Sequence, residues 1–525
     1  MSLKPQGSSP GSGAKKIALA TMLMMLGNII GKISGLLRAF LIKEKIGGLG
    51  SLSDSITLGL QIPDLFYQLL IGGAIQAAIT PALSSAIERK REKDAWKSVS
   101  IFISVMSLIL LVFVALGILF SDRLFPILYR DAYSSNPEKV MLAASISRIL
   151  YPQVFFMMLA ALCIGILNAY KSFSSTAFGP TIYNLCVALF IFFLGSPDSS
   201  GVYNVAWGIT FSALIYFLFQ FSVGFKRMRN FRVSLDIHDE GFRYIFARAF
   251  PTMLSGAAIQ INTILLSDLA GGFGDGVATA MNNAVQIWQL PYGIFAVSVG
   301  VVMIPSLSSF YGKRNYTGYR QLLSKSLRNA LFLTIPFAFV FFLLREDVSQ
   351  AIFLWRLSEN ELHMVSTLLL GYCPAIVTAT MVYLYNQSFF SRGKAGIPLI
   401  NAGISLVSTF VISNLYARLG MGMLSVSVGY STASLLGVVF LSIMMHRDKK
   451  VKPPPLAAFF MRIFLCLFGL ILSITALHML PIHPSGMLMS YIWLGIKVGI
   501  GLVMYLLTAY LLNMREVKAV LRRRK

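Results

Sequence analysis

Residues 98–121, SVSIFISVMSLILLVFVALGILFS, contain no charged residue and lie between Lys97 and Asp122. A helix of about 20 apolar residues spans the hydrocarbon core of a bilayer, so this stretch predicts a transmembrane helix. Of the 525 residues in the chain, 56% are hydrophobic and only 13% are charged, whereas soluble domains carry about 25% charged residues. The composition excludes a soluble enzyme, a secreted domain and a disordered chain, and it indicates a polytopic membrane protein.

Similar apolar windows recur along the whole chain, separated by polar residues or by Gly and Pro. They predict an all-α membrane protein of about fourteen transmembrane helices. The predicted spans lie near 17–42, 56–86, 98–121, 140–168, 177–195, 202–225, 244–270, 276–308, 326–345, 361–390, 395–417, 420–446, 456–480 and 488–513. We expect bends in the spans that contain Pro63, Pro152, Pro251, Pro291, Pro336, Pro374 and Pro398, because an interior proline removes a helix hydrogen bond.

The distribution of basic residues predicts the orientation of these spans. With the N-terminus inside, most of the 45 Lys and Arg residues fall in inner loops and tails, and few fall in outer loops. Because cytoplasmic loops carry an excess of Lys and Arg, both termini are predicted to be cytoplasmic. The net charge of +24 then belongs to loops and to a basic C-terminal tail that lie near anionic lipid. No nucleic-acid partner is expected.

Two patterns in the first half of the chain recur in the second. Asn followed by eleven residues and Pro occurs from Asn168 and again from Asn386, and TPALSS at Pro81 is matched by IPSLSS at Pro305. Chance similarity is one explanation; the other is a duplicated six-helix unit, which would give two pseudo-symmetric bundles around a central cavity, plus two C-terminal helices. The predicted domains are a disordered cytoplasmic tail (1–16), an N-terminal six-helix bundle (17–225), a C-terminal six-helix bundle (226–446), and two extra helices with a basic tail (447–525).

The first span carries two cations within its apolar body, in the sequence GNIIGKISGLLRAFLIKEK at 27–45. Lys32 and Arg38 lie beside glycines at every fourth position from Gly27, which allow another helix to approach closely. A cation inside a membrane helix is costly unless it meets water or an anion. We predict that both cations bind a phosphate-bearing substrate. The alternatives are that Lys32 pairs with an acid of the second span, or that Arg38 reaches the outer interface.

Three acids near span ends have two possible roles each. Asp54 is either an N-cap of the second span or a gate residue that pairs with a first-span cation, and we include it among the predicted site residues. Asp64, which follows Pro63, either caps a bent helix or pairs with Lys32. Asp268, at the outer end of the seventh span, either joins a coupling-cation site or only contacts outer water.

The eighth span presents a row of amide side chains ahead of Pro291. Asn282, Gln286 and Gln289 are spaced i, i+4, i+7 and therefore share one helix face. Their donors and acceptors suit the sugar or peptide groups of a substrate. Interhelical hydrogen bonding is an equally good explanation of the same residues.

No pattern in the sequence indicates catalysis. The four cysteines lie in apolar runs without a C-x-x-C motif, the five histidines have no metal-ligand spacing, and neither a Walker A nor a G-x-S-x-G motif occurs. We expect a transporter that is not an enzyme and has no cofactor or metal site. The membrane potential or a coupling ion would then supply the energy.

Taken in order, several segments resemble the MurJ/MviN family of lipid II flippases, over nearly the whole chain. The segments are GKISGLLR (31–38), SLSDSITLGLQIPDLFYQLLIGGAIQAAITPALSS (51–85), LNAYKSFSSTAFGPTIYN (167–184), LPYGIFAVSVGVVMIPSLSS (290–309) and FFSRGKAGIPLIN (389–401). The resemblance implies the fold of the multidrug/oligosaccharidyl-lipid/polysaccharide exporters. It also implies a cavity with essential cations and a groove for the lipid tail at the C-terminal helices.

The activity that this resemblance implies is the movement of undecaprenyl-pyrophosphate-linked disaccharide-pentapeptide from the inner to the outer leaflet of the bacterial plasma membrane, for peptidoglycan synthesis. The partners it implies are lipid II, the bilayer and the machinery of cell elongation or division, with the chain itself a monomer. The alternatives are another exporter of the same fold, for a polyprenyl-linked polysaccharide or a small cation, and a membrane scaffold or integral enzyme of envelope assembly.

The chain departs from the family pattern in its cavity charges. The first-span basic pair of the family falls on Lys32 and Arg38, and the gate-lining Asp matches Asp54. Other charged positions of the family fall on neutral residues, which are Tyr67, Gln68, Gly72 and Gln286. Either fewer cations hold the pyrophosphate in this protein, or its substrate differs.

Overall fold

The computed structural model describes residues 27, 30–31, 33–70, 79–88, 90–170, 172–448, 451–452, 456–480 and 486–517. Within these ranges the regular structure is entirely helical, and no β-strand occurs. The predicted tail 1–16, Lys32, Gly72 and the C-terminal LRRRK lie outside the described residues.

The helices follow one another with short connections. In chain order they are α1 (33–45), α2 (Ser51–Leu70), α3 (Thr80–Glu88), α4 (Glu92–Leu128), α5 (Arg130–Ser135), α6 (Pro137–Ala169), α7 (Phe173–Leu194), α8 (Ser199–Gly224), α9 (Glu240–Gly272), α10 (Val277–Pro291), α11 (Ser298–Gly312), α12 (Tyr316–Leu343), α13 (Arg345–Ile352), α14 (Glu359–Phe390), α15 (Gly396–Arg418), α16 (Leu424–Arg447), α17 (Ala457–His478) and α18 (Met487–Leu511).

Eleven helices among the described residues are long and apolar enough to cross a membrane. They coincide with eleven of the predicted spans, so the multi-pass helical class is confirmed. The other three predictions are 17–42 and 56–86, which include residues outside the described ranges, and 177–195, where the apolar helix Phe178–Leu194 is shorter. The count of fourteen stays a prediction.

Proline has a visible effect in the eighth predicted span. Residues Tyr292–Val297, directly after Pro291, form a π-helical segment between α10 and α11. Proline lacks an N–H and disturbs the regular ladder, so a local change of helix type is the expected response. Pro398 lies in the first turn of α15, where the helix needs no N–H from it. It therefore interrupts no helix hydrogen bond, unlike an interior proline.

The chain divides into two compact units. Unit 1 comprises Met1–Gly47, Gly59–Arg123 and Leu142–Ala257, and unit 2 comprises Gly48–Leu58, Leu124–Met141 and Ala258–Lys525. Two short segments from the first half of the sequence thus belong to the unit built mainly from the second half. This division differs in form from one cut into consecutive bundles, because unit 2 includes both Gly48–Leu58 and Leu124–Met141 from the first half of the chain.

Apolar side chains occupy both the interior and the outer surface of the helices. In unit 2, Leu323, Leu327, Leu384 and Leu441 are fully buried in one cluster formed by α11, α12, α14 and α16. On other helices large apolar side chains stay exposed, as at Phe464, which is 73% exposed. Exposed apolar surface on this scale fits helices that face lipid.

The Asp239 side chain connects the start of α9 to the start of α4 by polar contacts within unit 1. Its carboxylate accepts hydrogen bonds from the Phe242 amide at 2.9 Å and from Ser98 Oγ at 2.7 Å, and it lies 3.0 Å from Lys97 Nζ. Burial raises the pKa of Asp239, but these hydrogen bonds and the lysine charge outweigh it, so the pKa is lowered from its ordinary value. The carboxylate therefore stabilises the fold at neutral pH, and this contribution is lost as the pH falls through the lowered pKa, below about 4.

We expect Asp239→Ala to lower the thermal unfolding midpoint of the purified protein at pH 7, because the N-cap alone contributes about 1 kcal/mol. The matched control is Asp236→Ala, whose exposed carboxylate accepts one hydrogen bond, from the His238 amide at 3.2 Å. Equal midpoints for the two variants would contradict the assigned role of Asp239.

Candidate functional site

Asp54 lies in the first turn of α2 and is fully buried. Its carboxylate accepts hydrogen bonds from the amide of Gly276 at 2.9 Å, from the amide of Thr279 at 2.8 Å and from Thr279 Oγ1 at 2.8 Å. These amides form the free N-terminus of α10, where a negative charge is favoured by the helix dipole. Asp54 is thus a cap, but the helix that it caps is α10 and not its own.

Gly276 makes this close approach possible. Its φ of +85° is in the left-handed region, which glycine adopts at little cost. A Cβ atom added there would lie only 2.7 Å from the carbonyl carbon of Leu49. No other residue fits between the start of α10 and the segment that leads into α2.

Lys139 supplies the cation that balances Asp54. Its Nζ atom lies 3.5 Å from Asp54 Oδ2 and 3.0 Å from Asp275 Oδ1, and it donates a hydrogen bond to the Gly271 carbonyl at 3.2 Å. The side chains of Lys139 and Asp54 are fully buried, whereas that of Asp275 is 42% exposed. We call Asp54, Lys139, Asp275, Gly276 and Thr279 the Asp54–Lys139 cluster.

Further contacts bind the segment Gly48–Leu58 within unit 2. The Leu49 amide donates to Glu361 Oε1 at 2.8 Å, and Thr57 Oγ1 lies 3.0 Å from Thr279 Oγ1. Glu361 also closes a capping box with Ser358 at the start of α14. The entry to α2 is therefore attached by polar contacts to the starts of both α10 and α14.

Asp268, like Asp54, accepts a hydrogen bond from a backbone amide near the start of another helix. Its Oδ1 atom accepts a hydrogen bond at 3.0 Å from the amide of Ala132, in the short helix α5. The residues described contain no group of three or more His, Cys, Asp or Glu arranged to hold a metal ion. A coupling function of Asp268 stays a prediction.

The three predicted amides lie on one face of α10. Asn282, Gln286 and Gln289 are half-buried, whereas Asn283 and Trp288 of the same helix are buried. None of the three forms a side-chain hydrogen bond with any residue that the structure describes. In an apolar environment such amides need a polar partner, so this face is suited to water or to a polar ligand.

Aromatic rings border the same helix. Trp288 stacks on Tyr372 with ring centroids 6.1 Å apart, and its ring lies 5.9 Å from that of Tyr430 and 5.7 Å from that of Tyr292. Trp288 Nε1 and the Tyr372 hydroxyl are buried without a hydrogen-bond partner among the described residues. Each of these groups is a buried donor without an acceptor. Leaving such a donor unsatisfied ordinarily costs about 1–3 kcal/mol of folding free energy.

Arg38 lies in α1, within unit 1, and is half-buried. Its guanidinium interacts with the carboxylate of Asp64 and with the hydroxyl of Tyr183. Tyr183 is held in turn by Gln153 Nε2, which donates to its hydroxyl at 3.1 Å. Asn184 of α7 also contacts the first predicted span. Its Nδ2 atom donates to the Gly31 carbonyl at 3.2 Å, so the span packs against α7 at this glycine.

The structure thus places the predicted site residues in two groups. Asp54, Asn282, Gln286 and Gln289 belong to unit 2, with Asp54 at the start of α10 and the three amides along it, whereas Arg38 belongs to unit 1. Sequence reasoning did not single out Lys139. The available signal was Asp54 itself, because an acid next to a membrane span needs a cation or several donors.

Comparison with known proteins gives a consistent result. A family model described as lipid II flippase MurJ matches residues 44–497. "Probable lipid II flippase MurJ" of Bdellovibrio bacteriovorus is 23% identical over 517 residues, which cover 97% of each chain. "Lipid II flippase MurJ" of Burkholderia cenocepacia is 25% identical over 419 residues, or 78% of this chain and 80% of that protein.

Solved structures show the same fold. A lipid II flippase MurJ in an inward closed conformation superposes with a TM-score of 0.76 at 22% identity, covering 94% of this chain and 98% of that one. An inward-facing multidrug resistance transporter of the MOP superfamily gives a TM-score of 0.65 at 16% identity, over 82% of this chain and 99% of that one.

We expect Lys139→Met to destabilise the protein strongly, by about 3–5 kcal/mol, because it leaves the buried Asp54 carboxylate without its cation. The thermal unfolding midpoint should fall sharply, and adding Asp54→Asn to this variant should restore part of the loss. Arg130→Met is the control, since Arg130 is an exposed cation of the same connection. If both single variants lowered the midpoint equally, the cluster would have no special importance.

Proposed function

The chain belongs to the MurJ family of lipid II flippases, whose model matches residues 44–497, and we propose that it moves lipid II from the inner to the outer leaflet by alternating access. The family match over most of the chain is the observation that carries this proposal. The substrate is a polyprenyl pyrophosphate that bears a disaccharide and a pentapeptide.

The physical task is to bring a diphosphate past hydrocarbon. An unpaired ion in the bilayer interior is very costly, so the headgroup needs a hydrated or cationic path while the polyprenyl tail stays in lipid. Arg38 fits this task, because its guanidinium offers forked donors to a phosphate. We propose that Lys32, which lies outside the described residues, adds a second cation.

The α10 face fits the neutral part of the headgroup. Asn282, Gln286 and Gln289 are half-buried amides without hydrogen-bond partners among the described residues. Such groups can donate to and accept from sugar hydroxyls and peptide groups. We infer that this chain binds pyrophosphate with few cations and binds the disaccharide-pentapeptide largely through neutral contacts.

The Asp54–Lys139 cluster fits a gate. By the predicted orientation it lies at the outer ends of α2, α6 and α10, and its contacts would hold that end closed. Breaking them costs little if water enters at once, because both charges then regain hydration. A closed and an open state of similar free energy would allow substrate binding or the membrane potential to shift the population.

The energy source and cellular setting follow from the same proposal. With no nucleotide-binding motif in the sequence, we propose that the membrane potential or an ion gradient drives the cycle. The protein would act as a monomer in the bacterial plasma membrane, with both termini in the cytoplasm, beside the machinery of cell elongation or division.

The proposal is tested by depletion of the protein in its native bacterium, with lipid II exposure measured at the outer leaflet. Exposure should fall on depletion, return with the wild-type chain and fail to return with Arg38→Ala at normal expression. The control is Arg148→Ala, another arginine within a predicted span, which pairs with Asp122 and is partly exposed. Normal outer-leaflet exposure after depletion would refute the proposed activity.

The gate is tested by a disulfide. In a chain whose four native cysteines are replaced, Thr57→Cys with Thr279→Cys should cross-link on oxidation, because the native hydroxyl oxygens lie 3.0 Å apart. We expect oxidation to reduce flipping at least about tenfold and reduction to restore it, whereas each single variant should respond to neither treatment. Full flipping by the cross-linked protein would rule out opening at this contact.

A further inference from the structure

A cavity of about 700 Å³ lies in unit 1, on the side that the loop charges predict to be cytoplasmic. Helices α4, α6 and α8 supply an apolar wall that includes Ile103, Leu162 and Phe217, and the connection after α8 supplies Lys226 and Arg229. A volume of this size is typical of a small-molecule or lipid site. The wall is suited to hydrocarbon and the rim to an anion.

The connection that contributes Lys226 and Arg229 to the cavity has an unusual composition. We call residues 225–239, FKRMRNFRVSLDIHD, the basic strap. It carries four cations, and its apolar residues Phe225, Val233, Leu235 and Ile237 are exposed, with Val233 reaching 79% exposure. Exposed apolar groups beside cations are typical of a segment immersed in the membrane interface.

Hydrogen bonds fix the strap along α4. The Arg232 amide donates to Ser100 Oγ at 3.2 Å, and the Ser234 amide donates to Ser104 Oγ at 3.3 Å. Both serines follow Lys97, the last charged residue before the apolar part of α4, within about 10 Å along the helix. The strap therefore lies at the depth where lipid phosphates give way to acyl chains.

The cations of the strap are available to an anion. Lys226 and Arg229 are exposed and form no ion pair within the described part of the chain. Arg227, between them, stacks over the Tyr170 ring at 5.4 Å, and its buried NH1 nitrogen lacks a hydrogen-bond partner. Lys226 and Arg229 thus line the apolar cavity as cations that are available to an anion.

We propose that this cavity binds an anionic phospholipid of the inner leaflet, with one acyl chain against the α4–α6–α8 wall and the phosphate at Lys226 and Arg229. The charge complementarity favours an anionic over a zwitterionic headgroup. The fixed strap favours a lipid that stays bound rather than a substrate in transit. The inference is independent of the proposed function, because lipid binding is measured without transport.

The test measures the lipid retained by the purified full-length protein, by native mass spectrometry after titration with phosphatidylglycerol, phosphatidylcholine or a polyprenyl phosphate. Phosphatidylglycerol should bind more tightly. Leu162→Trp, which fills the cavity, and Lys226→Gln with Arg229→Gln should each weaken its retention about tenfold or more. The matched controls are Leu189→Trp, on an exposed face outside the cavity, and Arg91→Gln with Lys93→Gln, an exposed basic pair at the start of α4.

A second readout locates the acyl chain. Trp96 is buried at the cavity wall, where its Nε1 donates to the Tyr170 hydroxyl at 3.2 Å. Phosphatidylglycerol with brominated chains should quench a component of tryptophan fluorescence that Trp96→Phe removes and that Lys226→Gln with Arg229→Gln diminishes. This measurement remains informative if one variant folds poorly, since the folded wild-type protein provides the signal.

Three results would overturn the proposal. One is equal retention of phosphatidylglycerol by the cavity variants and their controls. Another is equal binding of the anionic and zwitterionic lipids. The third is preferential retention of a polyprenyl phosphate over phosphatidylglycerol, which would assign the cavity to the transported lipid.

Discussion

The structure depends on one constraint, which is that a charge at membrane depth must be paired, hydrogen-bonded or hydrated. Asp54 meets this requirement with three hydrogen bonds at the start of α10 and with Lys139 at 3.5 Å. The need for these partners brings segments from both halves of the sequence into unit 2. When a contact made of charges and amides separates, water can replace the lost partners. Packed apolar side chains gain no such partners from water, so their contact is harder to separate in a reversible cycle.

The same constraint explains what the neutral residues of α10 can contribute. Gln286 stands where related flippases are expected to carry an arginine, and it lies with Asn282 and Gln289 on a face without hydrogen-bond partners in the described chain. An amide interacts with both donors and acceptors but adds no charge. Recognition can therefore shift from the pyrophosphate toward the sugar and peptide, provided that cations elsewhere, such as Arg38, neutralise the phosphate.

Cations outside the spans serve two purposes in this protein. Their concentration in inner loops predicts the orientation of the chain, and those of the basic strap also border an apolar cavity at the membrane interface. A lipid held there would join α4, α6 and α8 on the side of unit 1 that is predicted to be cytoplasmic, while the Asp54–Lys139 cluster is confined to unit 2. The two features concern different parts of the molecule, so they can be altered independently.

The sequence by itself determined the helical membrane class, because apolar windows of bilayer length need no tertiary information, and eleven of them reappear as helices long and apolar enough to cross a membrane. It also predicted the shared face of Asn282, Gln286 and Gln289, since helical periodicity is local. The partners of Asp54 were decided only by the tertiary structure. Lys139 and Thr279 are remote in sequence, and pairing across such distances depends on which helix ends meet, which no local pattern of residues encodes.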